Sequence, residues 1–372
     1  MIIKSIGFPR IKNFGGDIRD FLPSLFRYLK KFKDVEVYVE NTYGEGFGLT
    51  EKDYLAENPS IKFVPSDEVY KKDLIVILKM PELEELEKLR DGCCLFTMCH
   101  YPTRPANVEL FMRKNIKTFS MDGIVDDYGK RIFVDYFRTA FNGSRIAFNE
   151  LKKSMGDDFY SPARRPINVT VIGVGAVAQN CAKSFEILGD EEFLGKNIPG
   201  VAIRLLPRTI TYSDELMIPI LKETDILVDA SKREDISKCI IKNELLGYLP
   251  GHAIILDITA DRYDEGQVKP IEGTVVGSLS KMVIYPDDEL YNTIPENIDS
   301  RNRRTVVSCD AWPGVTPKES ILHYEGLIKN YFEILLTKDT DELEKDSDNY
   351  FERALYRGTL EYFLEESAEK AK

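Results

Sequence analysis

The chain has 372 residues, and its 50 Lys and Arg against 62 Asp and Glu give a formal charge of −12, which argues against nucleic acid or an anionic membrane as the principal partner. A hydrophobic content of 43% supports buried cores, and the length exceeds one ordinary core and suits two domains. No apolar run reaches the ~18 residues that span a bilayer, and the N-terminus enters a strand directly without a secretory pattern, so a soluble cytoplasmic protein is expected.

The six cysteines (Cys93, Cys94, Cys99, Cys181, Cys239 and Cys309) lack zinc-type spacing and read as small buried thiols, so no metal is expected. In chain order, apolar runs at 2–8, 35–40, 61–65, 74–79, 94–98 and 116–122 read as strands. Helical patterns at 18–32, 50–57, 82–90 and 107–113 lie between them. Such alternation predicts a mostly parallel sheet covered on both faces, with ligands gathering at the carboxyl ends of its strands.

Several of those ends are polar. One run ends in Lys79-Met80-Pro81-Glu82 and another in Cys99-His100-Tyr101-Pro102-Thr103. Lys79 and His100 make a plausible proton-transfer pair, with a snorkelling lysine and a hydrogen-bonded histidine as the plainer alternative. Arg19, just after the loop 9–16, is either a bidentate carboxylate clamp or a solvated arginine at a helix start. Residues 122–131 form a turn of hairpin type, 136–151 are helical, and a domain boundary is expected near 132–136.

The stretch 167–178 carries the most specific local signal. An apolar strand runs into Gly173-Val174-Gly175-Ala176-Val177-Ala178, and a helical pattern follows through 188. This is a GxGxxA fingerprint in its proper setting: Gly173 permits the turn, Gly175 lets a pyrophosphate approach the backbone, and Ala178 allows close helix–strand packing. After an acidic insertion at 189–200, the next strand, 201–206, ends in Pro207-Arg208-Thr209 rather than in the Asp or Glu that commonly holds the ribose of NAD. Arg208 suits a 2′-phosphate or faces solvent, so NAD and NADP both stay open.

Further strands are expected at 226–230, 253–259, 274–279 and 305–311, with helices at 235–246 and 318–336. Asp257 and Asp261 either bind ribose or a substrate amine or cap their turn. His252 and His323 read as structural. A charged loop, 338–348, precedes a final amphipathic helix carrying Leu355, Leu360, Phe363 and Leu364.

Together these signals resemble the alanine dehydrogenase, transhydrogenase and saccharopine dehydrogenase superfamily. The resemblance rests on Pro9-Arg10-Ile11-Lys12-Asn13 followed by Arg19, on Leu78-Lys79-Met80-Pro81-Glu82, His100 and the fingerprint, and on Asp257-Ile258-Thr259-Ala260-Asp261 and Trp312-Pro313-Gly314-Val315-Thr316-Pro317. Asp122, Asp126-Asp127-Tyr128-Gly129-Lys130-Arg131 and Asp310 are similar to lysine-forming saccharopine dehydrogenase, the nearest pattern, although Thr103 stands where those enzymes have a lysine. The turn 313–317 is similar to alanine dehydrogenase, and Ile6-Gly7-Phe8-Pro9 with Tyr43-Gly44-Glu45-Gly46-Phe47-Gly48 to N5-(carboxyethyl)ornithine synthase.

The resemblance implies an α/β fold of two Rossmann-like domains with parallel sheets and an inter-domain cleft. Residues 1–135 with 330–372 would form the substrate domain, and 136–329 the dinucleotide-binding domain. It implies an NAD(P)-dependent oxidoreductase that opens a CH–NH bond of an amino acid to a 2-oxo acid and an amine. Lys79 and His100 would share the proton transfers, Arg19, Asp122, Arg131 and Asp310 would hold substrate, and Asp261 and Trp312 would join Gly173, Gly175, Ala178 and Arg208 around the cofactor. Alanine dehydrogenase, a reductive condensation like that of N5-(carboxyethyl)ornithine synthase, and a non-catalytic nucleotide sensor are the alternatives. Partners are the amino acid and 2-oxo acid, with no nucleic acid or membrane and the oligomeric state open.

Overall fold

Six short apolar runs of the first third become strands β1 (Ser5–Phe8), β2 (Glu36–Glu40), β3 (Lys62–Val64), β4 (Leu74–Lys79), β5 (Cys94–Met98) and β6 (Lys117–Ser120). They pair in parallel in the order β3-β2-β1-β4-β5-β6, a doubly wound sheet whose strand order reverses between β1 and β4. The computed structural model describes every residue except 12–15, 234, 265 and 371–372, so Lys12 and Asn13 of the Pro9–Asn13 motif lie outside the described residues.

The strands are continuous apolar runs because both faces of the sheet are covered. In β4, Leu74, Val76 and Leu78 enter one core with Phe8, Phe26 and Phe96, while Ile75 and Ile77 enter the opposite core with Leu86, Leu95 and Phe111.

A second six-stranded sheet contains β7 (Ile167–Ile172), β8 (Val201–Leu206), β9 (Ile226–Asp229), β10 (Ile254–Asp257), β11 (Val283–Ile284) and β12 (Thr305–Ser308). Its order is β11-β12-β10-β9-β7-β8, parallel except for β11, with the reversal between β7 and β9. The same two-faced alternation recurs. Val169, Val171 and Val228 pack with the helix Tyr136–Met155 through Ala147, Phe148 and Leu151, while Ile172, Leu227 and Ile255 pack on the other side. Both Rossmann-like sheets are thus present.

The chain divides into two units, Met1–Asp135 with Pro317–Lys372, and Tyr136–Thr316. The return to the first unit comes at 317 rather than at 330, because the helix Pro317–Leu335 is part of that unit's core. Ile321, Tyr324, Ile328 and Phe332 are buried there, and Glu325 accepts the Leu22 N–H at 2.7 Å.

Three expected elements differ. The helix at 235–246 reduces to Asn243–Leu246, because Asp235 accepts the Ser237 N–H (3.0 Å) in a local turn and Ile240 and Ile241 donate to the Pro270 carbonyl. No strand forms at 274–279, where a side chain on Gly277 would meet the Ser308 carbonyl at 2.3 Å. The final helix is two, Tyr350–Arg357 and Leu360–Lys370, parted at Gly358, which lies against Ile124 and the Ser120 carbonyl. Among the described residues no helix is long and apolar enough to cross a membrane.

Candidate active site

In the first unit the carboxyl ends of neighbouring strands converge. Lys79 is the last residue of β4, in register with Met98 of β5 after an irregularity between Val76 and Lys79. His100 follows β5 by two residues and Asp122 follows β6 by two. The chain after β1, the strand beside β4, carries Asp17 and Arg19. All five side chains therefore belong to the edge of the sheet where doubly wound folds bind ligands.

Asp17 organises the cationic half. Arg19 donates to it through two nitrogens, Nε to Oδ1 at 2.6 Å and Nη2 to Oδ2 at 3.1 Å, and Lys79 Nζ lies 3.3 Å from the same Oδ2. The Asp17 carboxylate is 2% exposed, the Arg19 side chain 10% and Lys79 38%, so the lysine is the member open to solvent. Arg19 keeps its Nη1 edge free of described partners for a second carboxylate. Sequence reading missed Asp17, whose only signal is its place two residues before Arg19.

The loop that carries Asp17 and Arg19 is fixed from beneath. Asp20 accepts the Gly44 N–H at 2.9 Å, and burial raises its carboxyl to about 6 despite that bond. The Tyr43 hydroxyl accepts the Phe21 N–H at 2.9 Å.

His100 sits at φ +49° in the left-handed region, turning its ring out of the strand line. Its Nδ1 is 3.2 Å from Asp122 Oδ2, and its backbone N–H donates to Oδ1 at 3.2 Å. Ser120 donates to the same Oδ1 at 2.6 Å and in turn accepts the Cys99 N–H. Burial of Asp122 opposes its ionisation, but the His100 and Ser120 donors outweigh it and hold the carboxyl down at about 2. A permanent carboxylate on Nδ1 fixes the tautomer and presents Nε2 for proton transfer.

Arg131 is exposed on a hairpin closed by the Val125–Arg131 bridge. The fields of Arg19 and Arg131 both reach the Tyr324 hydroxyl, whose ionisation burial strongly opposes. The Tyr324 ring stacks on Phe133 at 5.7 Å. The structure thus brings Arg19, Arg131, Lys79, His100 and Asp122 to one unit.

The second unit holds the fingerprint. Gly173 has φ +114°, and a side chain there would strike the Ala230 carbonyl at 2.7 Å, so the tight turn requires glycine. Gly175 is the N-cap of the helix Ala176–Phe193 and faces open space, with nothing within 4 Å of a Cβ built on it. Ala178 is fully buried against the sheet. No side chain caps this 18-residue helix at its N-terminus and no acid occupies its first turn, so N–H groups and helix dipole are presented to an anion. These residues fit the pyrophosphate of a dinucleotide.

Beneath that turn lies a buried polar network. Asp229 ends β9 and Asp257 ends β10, register partners that are 1% and 2% exposed. Lys269, also buried, donates to Asp257 at 2.6 Å and to the Asp261 carbonyl at 2.7 Å. Asp261 itself is tied to the Arg233 guanidinium at 2.7 Å, and Asp310 is an exposed partner of Arg262 at 3.0 Å. Trp312 is a core residue, 3% exposed, with its ring against Gly143 and its carbonyl accepting from Asn142. Its ring thus packs against the helix Tyr136–Met155. Five of the six cysteines are buried, and burial raises Cys93 and Cys181 to about 12.

Residues 21–135 match the family model described as alanine dehydrogenase/PNT, N-terminal domain. This segment contains Lys79, His100, Asp122 and Arg131, while Asp17 and Arg19 precede it. The superfamily expected from the motifs is the one matched. The chain is 23% identical to an alanine dehydrogenase of Halomonas elongata over 61% of its own length and 65% of that relative's. It is 24% identical to an alanine dehydrogenase of Methanococcus maripaludis over 40% of its length and 41% of the relative's, so each match spans less than two thirds of the curated protein. In fold it is similar to an L-alanine dehydrogenase structure, with a TM-score of 0.67 and 17% identity over 95% of this chain and 94% of that one. It is also similar to a transhydrogenase from Sinorhizobium meliloti, with a TM-score of 0.62 and 14% identity over 88% and 93%.

Proposed function

We propose that this protein is an NAD(P)-dependent amino-acid dehydrogenase, oxidising the CH–NH2 group of a small 2-amino acid to a 2-oxo acid and ammonia, and reversibly aminating the oxo acid. The observation that carries the reading is the pair of proton-carrying side chains at adjacent strand ends. Lys79 is anchored beside Arg19 on Asp17, and His100 is oriented by Asp122. A pure nucleotide sensor needs neither.

The alanine dehydrogenase reading takes precedence over the saccharopine one. The family model over 21–135 and both curated relatives carry that name, and Thr103 stands where saccharopine dehydrogenases have a lysine.

A bound nicotinamide ring supplies the hydride acceptor. The chain's own residues do the rest. The Nη1 edge of Arg19 and the exposed Arg131 hold the substrate carboxylate, fixing the α-carbon. Lys79 and His100 remove a proton from the substrate ammonium, so that hydride loss gives an imine. They then take a proton from the water that attacks the imine carbon and return one to the departing nitrogen, leaving oxo acid and ammonia. Gly173, Gly175 and the uncapped helix start hold the pyrophosphate.

The test is oxidation of NADH and NADPH by the full-length protein with pyruvate plus ammonium, against 2-oxoglutarate plus lysine or ornithine. Turnover with pyruvate and ammonium is expected. Turnover only with lysine or ornithine returns the assignment to the saccharopine branch, and no turnover with any pair overturns the dehydrogenase reading.

A further inference from the structure

Resting on the reading of Arg131 as an anchor of the substrate carboxylate, we propose that Arg353 and Arg357 of the helix Tyr350–Arg357 are positioning residues, which keep Arg131 in place through Asp127 of its hairpin. The hairpin is the first argument. Asp126 accepts the N–H groups of Tyr128 (2.9 Å) and Lys130 (2.8 Å), and its own N–H donates to the Lys130 carbonyl at 2.9 Å. Ile132 donates to the Ile124 carbonyl at 3.0 Å, and Val125 bridges Arg131. These bonds make 124–132 one piece, so whatever fixes Val125 and Asp127 on one limb fixes the Arg131 backbone on the other.

The grip on that limb is the second. Arg353 and Arg357 are four positions apart, on one face of their helix. Arg353 donates to the Asp127 carboxylate through Nη2 at 2.8 Å and Nε at 3.3 Å, and Arg357 through Nη2 at 2.6 Å. The two guanidinium groups hold the Asp127 carboxyl well below the usual carboxylate range. Arg357 Nη1 also donates to the Val125 carbonyl at 3.2 Å, and Arg353 Nη1 is itself tied to the Ser347 carbonyl at 2.6 Å.

The helix is a firm base for that grip. Its Ala354 and Leu355 enter the same core as Ile124 and Phe133. Gly358, just past it, accepts the Ser120 N–H at 2.6 Å, where the chain leaves β6 for the hairpin. The Asp127 side chain is 39% exposed, Arg353 24% and Arg357 17%. Ion pairs this open add little to global stability, so their effect falls on where Arg131 stands. A displaced anchor weakens the hold on the oxo acid.

The experiment is steady-state kinetics of the full chain with pyruvate, ammonium and reduced dinucleotide, with melting temperatures alongside. Asp127→Ala is expected to raise the KM for pyruvate about 5- to 20-fold, while kcat moves less than about threefold and the melting temperature less than about 3 °C. The double variant Arg353→Ala/Arg357→Ala is expected to match it. Arg131→Ala is expected to raise KM at least as far, and Asp127→Ala to add nothing once Arg131 is gone, which a merely structural role would not produce. An unchanged KM in Asp127→Ala, or an equal rise with and without Arg131, overturns this inference and leaves the anchor reading intact. An Arg131→Ala variant with the wild-type KM overturns the anchor reading, and this inference with it. A wild type that turns over no pyruvate overturns the proposed function, and this inference falls with it.

Discussion

Asp229 and Asp257 stand opposite each other at the carboxyl ends of β9 and β10, and Thr259 Oγ1 lies 3.1 Å from an oxygen of one and 3.0 Å from an oxygen of the other. Of these two carboxylates, the buried cation Lys269 donates to Asp257. Asp229 is instead served by the Ser231 N–H and hydroxyl. Burial, and then the proximity of Asp257, raise the Asp229 carboxyl to about 7.

The sign of the resulting pH dependence follows. An acid that holds its proton more tightly when folded stabilises the fold fully below its unfolded value near 4. That contribution is lost as pH rises through about 7. Asp229→Asn, which mimics the protonated acid, is expected to flatten the stability profile between pH 4 and 7 and to exceed wild type at pH 8 by on the order of a few kcal/mol. Urea denaturation across that range measures both. A variant with the wild-type slope and lower stability at pH 8 rules out the protonated form.

The two glycines of the fingerprint separate folding from binding. Gly173 combines φ +114° with a Cβ position 2.7 Å from the Ala230 carbonyl, so Gly173→Ala is expected to cost about 1–3 kcal/mol of stability as well as dinucleotide affinity. Gly175 has ordinary backbone angles and empty space around it. Gly175→Val should lose about 1 kcal/mol or less, chiefly in helix capping, yet weaken dinucleotide binding at least about 10-fold by blocking the phosphate approach. Melting temperature and calorimetric affinity, read side by side, test the contrast. Undiminished binding in Gly175→Val removes the turn from the phosphate site.

Asp122 governs the histidine. Its carboxyl, held down at about 2, contributes fully above about 4 and is lost only as pH falls through 2, so it does not set the acid limb of activity near neutrality. Asp122→Asn retains the shape but offers Nδ1 of His100 an amide in place of a full charge. It is expected to lower kcat/KM by about 10- to 100-fold. The kcat pH profile and melting temperature distinguish this from misfolding: activity lost at unchanged melting temperature supports the role, and wild-type kcat removes it.

Legibility in the sequence followed the range of the forces involved. Strands such as 74–79 and 226–229 are visible because burial on both faces makes them unbroken apolar runs, a property each strand carries alone. Lys79 and His100 are visible for the same reason, as the polar residues that end such runs. Asp17 is not, since its partner Lys79 lies 62 positions away and only the β1–β4 adjacency joins them. The span 235–246 misleads because its apolar spacing is helical while Asp235 and Ser237 close a turn. Trp312 carries a motif, but its burial against Gly143 depends on where the helix Tyr136–Met155 lies.

Asp17 gives the most direct test of the first unit. Its carboxylate is the shared acceptor of Arg19 and Lys79 and is nearly inaccessible. Asp17→Asn keeps one acceptor oxygen but removes the countercharge, leaving a largely buried guanidinium and an ammonium side by side. Breaking such a pair from one side is expected to lower stability by about 2–4 kcal/mol. It should also lower kcat by about 10- to 100-fold, because neither cation keeps its position against the substrate. An added oxo acid supplies the missing negative charge to the freed Arg19. Saturating pyruvate is therefore expected to raise the melting temperature of Asp17→Asn more than that of wild type. Equal ligand-induced shifts in the two proteins, measured by thermal denaturation with and without pyruvate, overturn the assignment of Arg19 as the carboxylate anchor.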